Sequence, residues 1–396
     1  MRSVRSNRAT FFLSAGWGPV VRALPIANRL ADYGIPSAFA IGGAVGLQIR
    51  AAGFDLIEPN LPPFSVPMDK AAEWWSPYHF LALHEFDIET VIAYVEAYRR
   101  AISDGHSAVV ITDINPLAAL AAKSLHVPHI TISQSIFLPF RTFNSSEFKL
   151  PSALPAINKA LARYGVGPLE SAEYLDMGAV TFVPSIPEFD PLQNTPSSLH
   201  YVGPILGNQL IPLPPINRFS STNEAADVFV YPGRPHDTAG SSGQSLLNVV
   251  LNALSNLDAT ITVATGGHEF EIPKHSCDRL EIVPWRVISS DHKPDLIIHH
   301  GGHGACLTAI SAGIPSVIVP THIERKYNAR NVAALGCGEF TSLEQSDVDN
   351  VRRMIERVFK NPAYVRGCSK WSQTIAARKY GGADLVACTV AQMIGS

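Results

Sequence analysis

The sequence predicts an α/β protein made of two doubly wound parallel-sheet domains, and three observations predict it. The chain has 396 residues, more than the ~250–300 at which a single hydrophobic core usually stops growing. Residues 10–57 alternate short apolar runs with amphipathic stretches that end in glycine, the pattern of a βαβαβ unit. Residues 296–320 repeat the motif: an apolar run, a glycine-rich turn, a helical stretch and a second apolar run.

The amino-terminal elements follow from local pattern. Thr10–Ser14 reads as a strand, Gly16–Pro19 as a glycine turn, and Val20–Tyr33 as an amphipathic helix ended by Gly34. Ser37–Ile41, Val45–Ala52 and Phe54–Ile57 continue as strand, helix and strand. Residues 62–86 form a long excursion carrying Trp74, Trp75, Tyr78, His79, His84 and Glu85. Its aromatics suit either a small core of its own or a pocket for an apolar substrate. Ile88–Ile102 is helical by spacing, Val109–Thr112 is a strand ending at Asp113, and His129–Ser133 is a strand ending at Gln134. A strand at Ala179–Pro184 follows, and the proline-rich, polar stretch 206–225 reads as a linker.

The second half is patterned in the same way. Val228–Tyr231 is a strand ending at Pro232-Gly233-Arg234, Gln244–Leu254 a helix, Thr260–Ala264 a strand, and Glu281–Val283 a strand ending at Pro284-Trp285. The apolar run Leu296–Ile298 breaks into His299-His300-Gly301-Gly302-His303-Gly304-Ala305, with a helix expected from Ala305 to about Ala312. A strand that hands over to a helix through glycines aims free N–H groups and the positive end of the helix dipole at one point, which suits a phosphate. Ser316–Pro320 reads as the next parallel strand, Thr321–Arg325 as a loop at its carboxyl end, and Asn328 as the start of another helix. Val348–Phe359 and the stretch from Ala363 to the end are helical, broken at Gly381-Gly382.

Composition narrows the function. Hydrophobic residues make up 46% and charged ones 16%, which excludes a disordered chain. The formal net charge of −3, with no long Lys/Arg run, leaves no basic field for nucleic acid. Five scattered cysteines without a Cys-x-x-Cys pair suggest neither a disulfide framework nor a metal site, and read as free thiols of a cytoplasmic protein. No apolar stretch reaches the length of a membrane span.

The pattern His299-His300-Gly301-Gly302-x-Gly304, then Ala312-Gly313-x-Pro315 and Pro320, then Glu324 and Asn328-Ala329, resembles the donor signature of the family 1 nucleotide-sugar glycosyltransferases of the GT-B fold. The resemblance is strong over 226–340, weaker over 60–200, and points to members acting in bacterial natural-product and antibiotic biosynthesis. It implies two Rossmann-like domains facing a cleft: an acceptor domain at 1–205, a linker at 206–225, a donor domain at 226–375, and a terminal helix at 376–396 crossing back. It also implies transfer of a hexosyl or deoxyhexosyl group from a UDP- or dTDP-sugar to a small hydrophobic acceptor, inverting, with neither cofactor nor metal.

The implied donor residues are His300, Gly301, Gly302, His303, Gly304 and Ala305 for the diphosphate, Glu324 and Arg325 for the sugar, and Trp285 and Val287 for the base. Gly233 and Arg234 end the first strand of that domain, where Arg234 either neutralises the leaving group or is a solvated loop arginine. The acceptor would meet Trp17, Trp74, Trp75, Tyr78 and Gln134. The chain departs from the family where a catalytic histidine or aspartate is usual, since Trp17 and Pro19 stand there. Asp113, His79, His84 or Glu85 could replace that base, His79 or His84 for proton transfer and Asp113 for orientation being favoured, or an acceptor that needs little deprotonation would reduce the need for one. The absent base also leaves open a silent or auxiliary protein that binds a nucleotide sugar or a partner enzyme without transfer. The assembly state is open, a homodimer being one candidate.

Overall fold

The computed structural model describes residues 7–14, 16–62, 88–142, 154–207, 225–236, 242–255, 257–273, 279–286, 288, 293–341 and 345–395. The chain divides into two compact units, one formed by residues up to Gly207 together with Tyr380 onward, the other centred on Asn208–Lys379.

The first unit runs β1 (Arg8–Leu13), α1 (Trp17–Asp32), β2 (Ser37–Ala40), α2 (Gly43–Ala51), β3 (Asp55–Ile57), α3 (Ile88–Asp104), β4 (Ser107–Asp113), α4 (Pro116–Ser124), β5 (His129–Ile132), α5 (Leu154–Arg163), β6 (Val180–Val183) and β7 (Leu199–Tyr201). These strands form one sheet in the order β3-β2-β1-β4-β5-β6-β7, every pairing parallel. The strand order reverses between β1 and β4, whose ends are in register at Leu13 and Asp113. Ligands in open parallel sheets bind at such a switch point. Helices cover both faces, as parallel strands require: Val91, Val95, Leu120 and Ile157 pack on one side, and Val20, Ala23, Ile26 and Leu30 on the other.

The second unit runs β8 (Ala226–Tyr231), α6 (Ser242–Leu254), β9 (Ala259–Ala264), β10 (Leu280–Val283), β11 (Leu296–His299), α7 (His303–Ala312), β12 (Ser316–Ile318), α8 (Ile323–Ala334), β13 (Gly338–Phe340), α9 (Val348–Lys360) and α10 (Ala363–Arg378). Its sheet has the order β10-β9-β8-β11-β12-β13, again wholly parallel. The switch point lies between β8 and β11, where Tyr231 is in register with His299. The last helix, α11 (Gly382–Gly395), returns to the first unit. Its Val386, Ala387 and Val390 share a core with α1, and Gly382 N donates to Val202 O at 2.9 Å.

The two doubly wound sheets are those the alternating pattern predicts. Several boundaries differ. Two three-residue strands, β7 and β13, lay in stretches that the pattern left unassigned, because so short a run carries no readable period. α7 begins at His303 rather than Ala305, since Cys306 N already bonds to Gly302 O. α8 begins at Ile323 rather than Asn328: His322 is extended and its carbonyl accepts from Lys326 N. Glu324 and Arg325 therefore sit on the first helical turn instead of in a loop, a position where a carboxylate meets the positive end of the dipole.

Candidate active site

In the second unit the site grows from the ends of β8 and β11. β11 leaves His300 at its tip, 8% exposed, and β8 leaves Tyr231 beside it. The two rings meet edge to face, centroids 5.3 Å apart. Glycines make the space. A Cβ at Gly302 would come within 2.7 Å of His300 Nε2, and one at Gly233 within 3.2 Å of its Cγ. Gly301 and Gly233 also adopt the left-handed φ values +86° and +85° that side chains disfavour.

The electrostatics keep this histidine neutral. Burial pushes the His300 pKa well below 6.5, reinforced by Arg325, His299 and His322 and opposed by a hydrogen bond to the Tyr231 backbone. Its Nδ1 is buried without a hydrogen-bond partner. Next to it α7 starts on Gly302, which offers no side-chain cap, with Gly304 and Ala305 in the first turn, both half-buried. The N–H groups of such a turn lack intrahelical acceptors and favour an anion. Two cations lie in electrostatic reach: Arg325 and Arg234 both act on Tyr231, whose hydroxyl is otherwise pushed up by burial. Arg234 is exposed, and Arg325 donates to Thr321 Oγ1.

Buried neutral histidines have a measurable consequence. Burial lowers His299, whose Nδ1 accepts from Gly301 N, to about 3. His129 in the first unit is held at about 3 by burial and then by Lys123. Both therefore contribute stability that is complete above pH ~6.5 and is lost as pH falls toward 3, because only the unfolded chain takes up the proton. Urea midpoints are expected to stay level from pH 8 to 7 and to drop between pH 6.5 and 5, before carboxylates titrate. Each histidine contributes roughly 1.4 kcal/mol per pH unit once well below 6.5. A flat midpoint across pH 6.5–5 would contradict the assignment.

The remaining donor-side residues cluster around this point. Glu324 Oε1 accepts from Asn328 Nδ2 at 2.7 Å, and the same Nδ2 donates to Gly301 O at 3.1 Å. His322 Nδ1 lies 3.9 Å from Glu324 Oε2, with its pKa pushed well below 6.5 by burial and by Arg325. His303 is buried on the first turn of α7. Trp285, 48% exposed, has its ring 3.7 Å from where a Cβ on Gly266 would stand, with Tyr231 at 3.8 Å. A groove of about 550 Å³ beside it is lined by Thr265, Gly267, His268, Phe270, Ile282 and Pro284.

The first unit gathers a second polar group at its own switch point. Trp17 begins α1, half-buried. One turn on, Arg22 reaches Asp113 at the end of β4 with two parallel hydrogen bonds of 2.8 Å, Nε to Oδ2 and Nη2 to Oδ1. Both side chains are buried, 6% and 1% exposed. Gln134 follows β5, buried, its Oε1 without a partner. His79, His84, Trp74, Trp75, Tyr78 and Val287 lie outside the described residues. Sequence reasoning missed Arg22, Tyr231 and His268. Tyr231 was signalled by its place at a strand end opposite His299, and Arg22 by a lone charge on the apolar face of α1.

Among the described residues no helix is long and apolar enough to cross a membrane. Residues 248–385 match the family described as erythromycin biosynthesis protein CIII-like, C-terminal domain. The chain is 22% identical over 315 residues to a PGL/p-HBAD biosynthesis glycosyltransferase of Mycobacterium tuberculosis, covering 70% of this chain and 69% of that one. The calicheamicin glycosyltransferase CalG4 superposes with a TM-score of 0.72 at 19% identity, covering 99% of both chains. The spinosyn rhamnosyltransferase SpnG complexed with thymidine diphosphate gives 0.67 at 17%, covering 93% of this chain and 96% of that one. With its two parallel sheets, its histidine and glycine loop and these relatives, the chain is a glycosyltransferase of GT-B fold that resembles the family 1 enzymes of natural-product biosynthesis.

Proposed function

We propose that the protein transfers a hexosyl or deoxyhexosyl group from a UDP- or dTDP-linked sugar to a small hydrophobic acceptor, with inversion and without a metal ion. The observation that carries the proposal is the buried, neutral His300, whose ring lies against Gly302 at the uncapped amino terminus of α7 and whose Nδ1 has no partner in the protein. A diphosphate would take its hydrogen bonds from these groups, and Arg325 and Arg234 would offset its charge. Glu324, on the first turn of α8, would accept from sugar hydroxyls, and Trp285 would stack on the base beside the groove. The thymidine diphosphate of SpnG, and the similarity to a PGL/p-HBAD biosynthesis rhamnosyltransferase of Mycobacterium bovis, 22% identical over 329 residues, support this donor class.

In the reaction an acceptor oxygen forms a bond to the anomeric carbon as the bond to the diphosphate breaks, and the electron pair leaves with the diphosphate. Helix-end N–H groups, His300 and the two arginines stabilise that departing charge, the part of the transition state on which such a site acts most strongly. Asp113 already meets a guanidinium with both oxygens, so its part is orientation, and the acceptor proton goes to His79 or His84. The free thiols of Cys306, Cys337, Cys368 and Cys388 support a cytoplasmic setting.

A thermal-shift screen of nucleoside diphosphates and their sugars tests the reading. At 100 times Kd a ligand specific for the folded chain adds about 2.7 kcal/mol, a shift of several degrees. Stabilisation by UDP or dTDP, followed by release of that diphosphate when acceptors are added, is expected. No shift with any nucleotide would remove the donor site.

A further inference from the structure

We propose that Asn328 is a positioning residue that couples the diphosphate-holding loop to the sugar-facing carboxylate, so that donor grip and sugar discrimination depend on one side-chain amide. The inference rests on the donor-site reading above. Asn328 is fully buried on α8, with 0% exposure. Its Nδ2 spends one N–H on Gly301 O at 3.1 Å and the other on Glu324 Oε1 at 2.7 Å. Both partners are pure acceptors, so the amide can hold them in only one orientation, which leaves Oδ1 buried and without a partner.

The loop on the other side of this amide has no slack. Gly301 holds φ +86°, and a Cβ there would stand 2.8 Å from the Arg325 carbonyl on the first turn of α8. The Gly301 peptide sits between His300 and Gly302, the cap of α7, so its tilt sets the direction of the imidazole on one side and of the first N–H groups on the other. At its far end the same Nδ2 fixes the rotation of the Glu324 carboxylate. A loop shift thus reaches the carboxylate through two hydrogen bonds, and loss of the amide leaves a buried carbonyl unpaired and removes one hydrogen bond from the carboxylate.

Calorimetry with a nucleoside diphosphate and with its sugar conjugate, on wild type, N328A, E324A and the double variant, tests the coupling. E324A is expected to keep the diphosphate affinity and lose about tenfold of the extra affinity conferred by the sugar. N328A is expected to weaken the diphosphate itself about tenfold, and in its background E324A should change the sugar increment by less than half as much. N328D keeps the volume while replacing the donors by acceptors; it should lose at least as much as N328A, and it takes the place of N328A in the cycle should that variant fail to fold. An E324A effect of equal size in both backgrounds, or wild-type binding by N328D, overturns the coupling and leaves the donor site standing. If the wild type binds neither ligand, the donor reading and the coupling fall together.

Discussion

Replacing Arg22 by methionine is expected to cost the first unit about 3–5 kcal/mol of unfolding free energy, the usual consequence of stranding one member of a buried ion pair. The expectation follows from geometry: the guanidinium meets Asp113 with two parallel bonds of 2.8 Å. The carboxylate left behind would be only 1% exposed, and methionine keeps most of the apolar stem without any donor. The pair ties α1 to the end of β4, next to Trp17, so this edge of the sheet should loosen as well. Urea unfolding of R22M, D113N and the double variant separates charge from packing. The double variant should recover part of what R22M loses, because no uncompensated charge remains. A loss below about 1 kcal/mol for R22M would mean that the pair is replaceable by water or by a neighbouring group.

Replacing His300 by alanine is expected to weaken nucleoside diphosphate binding about 10- to 100-fold, while the free nucleoside binds nearly as before. The Nε2 edge of the imidazole lies against Gly302, the cap of α7, and its Nδ1 has no partner within the protein. The base, by contrast, would lie at Trp285, on the far side of Gly266 and Tyr231. When the single N–H of the neutral ring turns from the Tyr231 backbone to a phosphate, the bond is charge-assisted and worth roughly 1.5–3 kcal/mol, hence the one to two decades. Burial holds the ring neutral, so the difference between wild type and variant should not change between pH 6.5 and 8. Calorimetry with the diphosphate and the nucleoside at both pH values reads all of this. Equal weakening of the two ligands would place His300 in loop packing, and a difference that grows toward pH 6.5 would require a charged imidazole.

Both sheets were legible in the sequence because most of their parallel strands are short apolar runs, and several are followed by a helix that ends in glycine, as at Gly34, Gly53 and Gly313. The glycine loop was legible for a similar reason. Gly233, Gly301 and Gly302 are there because a side chain would collide with His300 or Arg325, or would need a φ that only glycine adopts freely. Such constraints act within a few residues and leave their mark on the local string. The pairing of Arg22 with Asp113 spans 91 positions, and the hold of Asn328 on Gly301 spans 27. Neither has a local signature, since a lone arginine on an apolar helix face and an asparagine inside a helix are each compatible with many partners. The start of α8 was misplaced for the same reason: Glu324 and Arg325 read as loop residues until the extended His322 put the first turn there. What the sequence by itself determined is the pair of doubly wound sheets and the phosphate-suited turn, whose causes are periodicity and backbone sterics. Only the tertiary structure decided which charges are compensated, which imidazoles are neutral and which amide joins the loop to the carboxylate, because burial and hydrogen bonding depend on neighbours that the fold brings in from far along the chain.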